Sequence, residues 1–293
     1  MPRQPDARCY GRVFDGIAED YDRHRPTYPD VLIDEACADA GLDPGAEVLE
    51  IGCGTGQLTR SLLARGLRVT AVEPGRQLIA RARDRLNGVG EVEFINARLE
   101  DASLPRAQYA AVFSASAIHW IDPDVSWHKA ADALMDGGSL ALLSYFGLDD
   151  PRSAEDQQAL HSALETIAPE LAAEWPAYRD LDRTLAGAAA RRENVSEAWA
   201  WLGSYEIARA HAADLFEDAL LAAVPRQLEH TAEELNALLG TMSFWAALSP
   251  SGREALAAAN QAFHERLRRP IRSSIVACLV MARRRGRALQ SLG

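Results

Sequence analysis

The sequence has few cysteines, and they lie far apart in the chain. The four residues form no CxxC pair and no cluster with histidines: Cys9, Cys37, Cys53 and Cys278. This spacing argues against a structural zinc site and against a disulfide framework. We therefore expect no metal ion in this protein.

Long apolar runs are also absent. The longest, Ile275–Ala282, is far shorter than a bilayer-spanning helix requires. The N-terminal residues MPRQPDARCYG are polar and do not resemble a signal peptide. These features predict a soluble, cytoplasmic protein that does not act at a membrane.

Positive charge is in deficit. The chain has 31 Lys and Arg residues against 42 Asp and Glu residues, which gives a formal net charge of −11. Such a field repels a polyanion, so we expect no nucleic-acid partner. One basic cluster near the C-terminus is predicted to be a solvated end beyond the last strand: Arg283, Arg284, Arg285 and Arg287.

The first half of the chain alternates between two kinds of segment. Helical spacing of apolar residues predicts helices over Val31–Ala40, Leu58–Ala64 and Arg76–Leu86. Short apolar runs predict strands over Val48–Ile51, Val69–Val72, Val92–Ile95, Ala110–Phe113 and Leu140–Ser144. This alternation is typical of a mostly parallel sheet that is covered on both faces.

The pattern changes after Tyr145. Predicted helices cover Ala154–Ala168, Leu171–Tyr178, Arg191–Trp201, Thr231–Leu239 and Ser251–Leu267, and a buried strand covers Ile275–Met281. Leu215–Leu228 fits a helix nearly as well as a strand, and Pro225 counts against a central strand. We interpret the chain as one α/β domain with a helical insertion at about 150–205.

Three glycines follow the first predicted strand in the motif Gly52-Cys53-Gly54-Thr55-Gly56. Glycines allow a sharp turn at a strand end and let a ligand approach the backbone N–H groups. The spacing is GxGxG, whereas a dinucleotide pyrophosphate site has GxGxxG and a nucleoside triphosphate site ends in GK[ST]. The loop alone therefore predicts a nucleotide-type ligand without selecting one.

Glu73 ends the second predicted strand, 19 residues after Gly54. A carboxylate at about this spacing accepts hydrogen bonds from both ribose hydroxyls. Glu73 could instead be a solvated residue at a strand end, but its spacing from the glycines favours the ribose role. The pair of features predicts a nucleoside ligand that needs no pyrophosphate.

Several motifs in order resemble the class I S-adenosylmethionine-dependent methyltransferases. The glycine loop with Glu50 and Glu73-Pro74 carries the resemblance, and it extends through Ala97–Asp101, Ser114–Trp120 and Leu134–Gly138. The opening Phe14–Asp22 with Arg25–Pro29 looks like a bacterial small-molecule branch of that family. The motifs cover about residues 10–145, and the resemblance is faint over 150–205.

The resemblance implies a fold. It predicts a Rossmann-like, seven-stranded, mostly parallel sheet whose last strand runs antiparallel, with a helical insertion and a lid. It favours a strand over Phe216–Leu228. The implied parts are a lid over 1–45, a cofactor core over 46–149, an acceptor-side insertion over 150–205 and a completion of the sheet over 206–293.

The resemblance also implies S-adenosylmethionine as cofactor and assigns residues to its parts. The methionine part is placed by Gly52, Gly54, Gly56 and Ser114, and the adenine between Pro74 and the backbone of Arg98 and Leu99. Glu50 is assigned to the amino group or to an ordered water. Cys53 has no adjacent activating base, so we interpret it as a small spacer in this loop.

Two residues of the lid are further candidates for the cofactor. Tyr21–Tyr28 resembles a segment packed over the site, so Tyr21 and Arg25 are predicted to face the cofactor, with Arg25 on its carboxylate. The alternative is a surface arginine that pairs with Asp20 or Asp22.

The acceptor is predicted to be a small organic molecule. His119 follows the fourth strand, at the rim where ligands bind in open sheets, and is the candidate proton acceptor; a structural role beside Trp120 is the alternative. His24, His128 and His230 are weaker candidates for that role. An aromatic or apolar acceptor is suggested by residues that could form its pocket or could simply pack in the core: Tyr10, Tyr21, Trp120, Ser243, Phe244 and Trp245.

Two other functions stay open at this stage. One is an NAD-dependent oxidoreductase that uses Glu73, which the GxGxG spacing disfavours. The other is a protein that binds the cofactor without methyl transfer, as a cyclase or regulatory module.

Overall fold

A computed structural model describes residues 14–191, residue 198 and residues 214–286. The helices are α1 (Ala18–His24), α2 (Asp30–Asp39), α3 (Gln57–Leu63), α4 (Arg76–Leu86), α5 (Pro123–Ala133), α6 (Ala154–Ile167), α7 (Pro169–Ala173), α8 (Leu181–Arg191), α9 (Ala232–Gly240), α10 (Ser243–Ala247) and α11 (Pro250–Leu267). The strands are β1 (Glu47–Ile51), β2 (Arg68–Val72), β3 (Val92–Ile95), β4 (Tyr109–Ala115), β5 (Leu134–Asp149), β6 (Arg179–Asp180), β7 (Phe216–His230) and β8 (Ile271–Arg284).

The strands form one sheet in the order β3-β2-β1-β4-β5-β8-β7, with the short β6 beside β5. Strands β1 to β5 pair in parallel, and β8 runs antiparallel between β5 and β7. The α/β fold and the antiparallel last strand are thus confirmed. The two-residue β6 is an eighth strand that the sequence did not predict.

The core lies on both faces of the sheet. Successive residues of a strand point to opposite faces, so Val112 of β4 joins one apolar cluster while Ala111 and Phe113 join the other. The same division holds along β5, where Leu142 and Leu143 belong to different clusters. Burial on both faces explains why these strands appear as continuous apolar runs.

The ambiguous segment is a strand, β7, which pairs with β8 over most of its length. Pro225 lies opposite Val276 in this pairing. A proline is tolerated there because β7 is the last strand in the described sheet order, where an outward N–H has no neighbour to bind. The strand implied by the resemblance is confirmed.

Of two helices predicted in the insertion, one is shorter in the structure and the other lies mostly outside the described residues. The helix expected over Leu171–Tyr178 is wrong beyond Ala173, because Pro176 interrupts it and Tyr178 packs its ring on Gly147. A strand, β6, follows directly. The helix expected over Arg191–Trp201 lies mostly outside the described residues, and α8 ends at Arg191.

The basic cluster near the C-terminus is not a solvated end. Arg283 and Arg284 belong to β8, and Arg284 is only 8% exposed because its guanidinium donates to the carbonyl oxygen of Leu134. Arg285 pairs with Glu217 at 3.2 Å. Arg287 lies outside the described residues. The prediction failed because β8 continues past Met281.

Among the described helices, none combines the length and the apolar character that a membrane span needs.

Candidate functional site

The glycine loop connects β1 to α3 at the carboxyl end of the parallel strands, where ligands bind in such sheets. Gly52, Gly54 and Gly56 have φ angles of +73°, +54° and +81°. A Cβ on Gly52 would lie 2.3 Å from the Cβ of Ala117. Glycine is therefore required at Gly52 by both the backbone conformation and the space.

Glu73 lies directly against this loop. Its carboxylate accepts hydrogen bonds from the backbone N–H groups of Gly54 at 3.0 Å and Gly75 at 2.9 Å. Glu73 is only 6% exposed, and burial raises the pKa of its carboxyl group while the two amides oppose the shift. The sequence spacing of 19 residues between Gly54 and Glu73 is thus a direct contact in the fold.

Glu50 is a buried acid of β1, close enough to Glu73 to be affected by its charge. Its carboxyl group is 1% exposed and accepts a hydrogen bond of 2.6 Å from the hydroxyl of Thr59. Burial raises its pKa from 4.5 to about 7, and the charge of Glu73 adds to the effect. This carboxyl group therefore changes protonation near neutral pH.

We expect Glu50 to make the protein less stable as pH rises from 4.5 to about 7. In this window the folded protein keeps a proton that the unfolded chain has lost, so the free energy of unfolding falls by about 3 kcal/mol across it. Glu50→Gln should remove this decline. Urea unfolding at pH 5.5 and 7.5 covers about 2 kcal/mol of this decline. Glu93→Gln, at an exposed position, is the matched control. Equal pH dependence of Glu50→Gln and the wild type would contradict the expectation.

Two other residues of the loop are buried. Burial raises the pKa of the Cys53 thiol well above its usual range, which disfavours the thiolate that a nucleophile needs. Thr55 is 1% exposed, and its hydroxyl makes no hydrogen bond within the described part of the chain. Sequence analysis did not select Thr55, although a hydroxyl inside a glycine loop was a visible signal.

Ser114 lies beneath the loop rather than at its opening. Its hydroxyl donates to the carbonyl oxygen of Ile51 at 2.9 Å, and the residue is 1% exposed. This bond joins β4 to β1 where the glycine loop begins. Its predicted contact with the methionine part of the cofactor stays a prediction.

The segments predicted to enclose the adenine are neighbours in the fold. The side-chain amide of Asn96, just after β3, donates at 3.0 Å to the carbonyl oxygens of both Glu73 and Pro74. Lys129 donates to the carbonyl oxygen of Leu99 at 2.6 Å. Asn96 and Lys129 were missed by sequence reasoning; only the position of Asn96 at a strand's carboxyl end was a signal.

Arg98 and Leu99, whose backbone is predicted to flank the adenine, differ in the exposure of their side chains. The Arg98 guanidinium forms an ion pair with Glu100 at 2.6 Å on the exposed side. Leu99 is 2% exposed and belongs to the apolar core. The backbone of these residues is thus anchored from below by Leu99 and Lys129.

The lid segment brings an aromatic ring and a cation to the loop. The ring of Tyr21 lies 3.9 Å from the position of a Cβ on Gly54, and the Arg25 guanidinium stacks on that ring at 5.2 Å. Arg25 donates to the carbonyl oxygen of Thr241 at 2.6 Å, while its buried Nε makes no hydrogen bond in the described part of the chain.

The alternative pairing of Arg25 with Asp20 or Asp22 is not found within residues 14–191, 198 and 214–286. Asp22 pairs with Arg85 of α4 instead. Arg25 is therefore a cation beside the glycine loop whose one described bond is to a neutral carbonyl group.

His119 lies in a short 3₁₀ helix, Ile118–Trp120, that follows β4. Its ring lies 4.6 Å from the ring of Trp120, and Phe14 lies 6.0 Å from Trp120. Desolvation of the imidazolium by the surrounding protein lowers the pKa of His119 from 6.5 to about 4, and the positive charge of Arg25 lowers it further. His119 is itself an exposed residue, so its imidazole is accessible from solvent.

The aromatic residues of α10 lie in the helical layer. Phe244 packs edge-on against Trp175 at 5.0 Å and against Trp245 at 6.4 Å. These rings join apolar residues of α6, α7 and α11. The described contacts of Phe244 and Trp245 are thus those of core packing, while the turn before Ser243 reaches the lid through Thr241 and Arg25. Tyr10 lies outside the described residues.

The described residues contain no group of three or more His, Cys, Asp or Glu side chains placed to hold a metal ion.

Comparisons with known proteins agree with this geometry. Residues 48–138 match the family described as "Methyltransferase domain". An uncharacterised methyltransferase of Mycobacterium tuberculosis is 36% identical over 125 residues, which are 42% of this chain and 48% of that protein. The chain thus matches only about half the length of this curated relative.

Solved structures show the same fold. A candidate type II methyltransferase from Anaeromyxobacter dehalogenans has a TM-score of 0.54 at 22% identity, over 88% of this chain and 97% of that one. Phosphoethanolamine N-methyltransferase 2 of Haemonchus contortus, solved with phosphomonomethylethanolamine and S-adenosylhomocysteine, has a TM-score of 0.52 at 15% identity, over 98% of this chain and 62% of that one. Residues 48–138 are therefore similar to methyltransferase domains, and the chain has the Rossmann-like fold of these solved structures.

Proposed function

We propose that this protein transfers a methyl group from S-adenosylmethionine to a small organic acceptor. The observation that carries the proposal is the contact of the Glu73 carboxylate with the N–H group of Gly54. It joins a hydrogen-bond acceptor for ribose hydroxyls to a glycine turn that a ligand can approach closely. The match of residues 48–138 to methyltransferase domains supports it.

The donor set also fits this cofactor. Glu73 would accept from the ribose hydroxyls, Pro74 with the backbone of Arg98 and Leu99 would flank the adenine, and Glu50 would face the amino group or an ordered water. The buried Nε of Arg25 and the hydroxyl of Thr55 are polar atoms whose described surroundings leave them without hydrogen bonds. A zwitterionic methionine part would satisfy such groups, with Ser114 supporting the loop from below.

The bound cofactor supplies an electrophilic methyl group on a sulfonium, which is transferred in one in-line displacement. The chain's residues orient the acceptor and exclude water. We assign residues 1–45 to a lid, 46–149 to the cofactor core, 150–205 to the acceptor side and 206–293 to the completed sheet. Trp120 with Ser243, Phe244 and Trp245 would border an aromatic or apolar acceptor.

Equilibrium binding of S-adenosylhomocysteine tests the cofactor assignment. Calorimetry should detect micromolar binding of S-adenosylhomocysteine and much weaker binding of NADH. Tight NADH binding without S-adenosylhomocysteine binding would favour an oxidoreductase and overturn the proposal. Transfer of label from methyl-labelled cofactor to a small acceptor then separates a methyltransferase from a cofactor-binding cyclase or regulatory module.

Arg25→Ala is expected to weaken S-adenosylhomocysteine about 10-fold, because it removes the cation that faces the carboxylate. Adenosine has no carboxylate, so its affinity should stay unchanged in this variant. Calorimetry with both ligands measures the difference, and Arg23→Ala, at an exposed position of α1 two residues earlier, is the control. Equal losses for both ligands would show that Arg25 does not bind the carboxylate.

His119→Ala is expected to lower kcat at least 100-fold if the acceptor must lose a proton during transfer. Because the pKa of His119 is lowered to about 4, the imidazole is already neutral at pH 5.5 and above, so wild-type kcat should not rise through this group between pH 5.5 and 8. Single-turnover rates with labelled cofactor measure both effects, with His264→Ala of α11 as control. Full activity of His119→Ala would remove it as the base.

A further inference from the structure

We propose that Asp15 is a positioning residue that slows release of the cofactor. It caps α4 from a distant part of the chain and thereby holds the lid against the glycine loop. This inference rests on the proposed function, because the ligand that it retains is the proposed cofactor.

The N-terminus of α4 receives its cap from Asp15. The first turn of a helix has backbone N–H groups without partners inside the helix. The residue before α4 is Gly75, which has no side chain to accept from them. One carboxylate oxygen of Asp15 accepts instead from the N–H groups of Gln77 at 2.6 Å and Leu78 at 3.2 Å.

The same turn holds Glu73. The N–H group of Gly75 donates to Glu73 at 2.9 Å. A Cβ placed on Gly75 would lie 2.9 Å from the Asp15 carboxylate and 3.1 Å from the Glu73 carboxylate. The two carboxylates thus approach the same glycine, one from the lid and one from the ribose-binding position, so displacement of Asp15 frees the turn that orients Glu73.

The helix that follows Asp15 continues this docking along α4. Glu19 pairs with Arg81 at 2.7 Å, and Asp22 pairs with Arg85. Glu19 and Arg81 are 59% and 43% exposed, so their ion pair contributes little. The charge-assisted bonds of Asp15 to two amides are a stronger attachment than this exposed pair. The pair of Asp22 and Arg85, whose side chains are 28% and 20% exposed, is a second contact with α4.

Docking of α1 on α4 also sets the position of the residues above the loop. Tyr21 belongs to α1 and lies over Gly54, and Arg25 follows its last turn. We expect a ligand bound at the glycine loop beneath these side chains to leave faster when α1 separates from α4. Loss of the Asp15 cap should therefore act mainly on the dissociation rate.

The dissociation rate of S-adenosylhomocysteine tests the proposal, measured by chasing labelled ligand with excess unlabelled ligand. We expect Asp15→Ala to dissociate about 10-fold faster than the wild type, as the loss of an N-cap predicts. Asp15→Asn should stay within about 3-fold of the wild type, because an amide oxygen accepts the same two bonds. Asp20→Ala, which removes an exposed acid of α1, should behave as the wild type.

Hydrogen exchange of the protein without ligand gives a second readout. Asp15→Ala should speed exchange over residues 76–79 relative to Asp20→Ala, while the central strands keep their protection and so report a folded protein. Unchanged dissociation in Asp15→Ala, or an Asp15→Asn variant as fast as Asp15→Ala, would overturn the capping role. A wild-type protein that does not bind S-adenosylhomocysteine would overturn the proposed function itself, whereas binding with unaltered release in Asp15→Ala overturns this inference alone.

Discussion

Glu73→Ala is expected to weaken S-adenosylhomocysteine about 100-fold. The carboxylate would accept from both ribose hydroxyls, and two charge-assisted hydrogen bonds together contribute about 3 kcal/mol. Adenosine should lose affinity by the same factor, because it carries the same ribose. This behaviour distinguishes Glu73 from Arg25, whose loss should affect only the ligand with a carboxylate. Calorimetry with both ligands measures it.

Two variants make the Glu73 experiment specific. Glu73→Gln keeps an oxygen that can accept from Gly54 but loses the charge, so its affinity should lie between those of the wild type and Glu73→Ala. Glu93→Ala removes an exposed acid of the neighbouring β3 and should bind as the wild type does. Unchanged affinity in Glu73→Ala would show that the ribose assignment is mistaken.

Gly52→Ala is expected to destabilise the protein by roughly 2 to 4 kcal/mol and to abolish S-adenosylhomocysteine binding at micromolar concentration. Gly52 has a φ of +73°, and an added Cβ would lie 2.3 Å from the Cβ of Ala117. Backbone strain and overlap therefore act together, and the loop moves away from Glu73. Urea unfolding and calorimetry measure the two effects.

Gly88 separates the two causes. It has a φ of +74°, and a Cβ there would meet no atom within 4 Å, so Gly88→Ala should cost only about 1 kcal/mol. Ala117→Gly added to Gly52→Ala removes the overlap and should restore part of the lost stability. If Gly52→Ala costs no more than Gly88→Ala, the contact with Ala117 does not constrain the loop.

The first half of the fold could be predicted because its signals are local. Apolar runs of four or five residues, each followed by a glycine or a polar residue, predict parallel strands such as β1 and β2. The second half was harder to predict. Pro225 made β7 ambiguous, because only its place at the end of the sheet order allows a proline. Pro176 interrupts a helix that the alanine-rich sequence predicted to continue to Tyr178.

In the candidate site, too, some residues could be predicted from the sequence and others could not. Gly54 and Glu73 lie 19 residues apart and follow the ends of two adjacent strands, so the parallel pairing brings them together and the spacing predicts their contact. Asn96, Lys129 and Thr241 were not predicted. Each binds a site residue through a backbone carbonyl oxygen, which leaves no pattern of residue types in the sequence.

The sequence by itself determined the α/β class, the glycine turn and the acid that faces it, because apolar runs, glycine positions and the 19-residue spacing can be recognised in one short stretch of sequence. Only the tertiary structure decided that Arg25 meets Thr241, 216 residues away, and that Asp15 caps α4. It also placed Phe244 and Trp245 in a helical layer. Such contacts depend on how the lid, the helices and the sheet pack together. Many residues throughout the chain contribute to the free energy of that packing, so no short sequence motif predicts it.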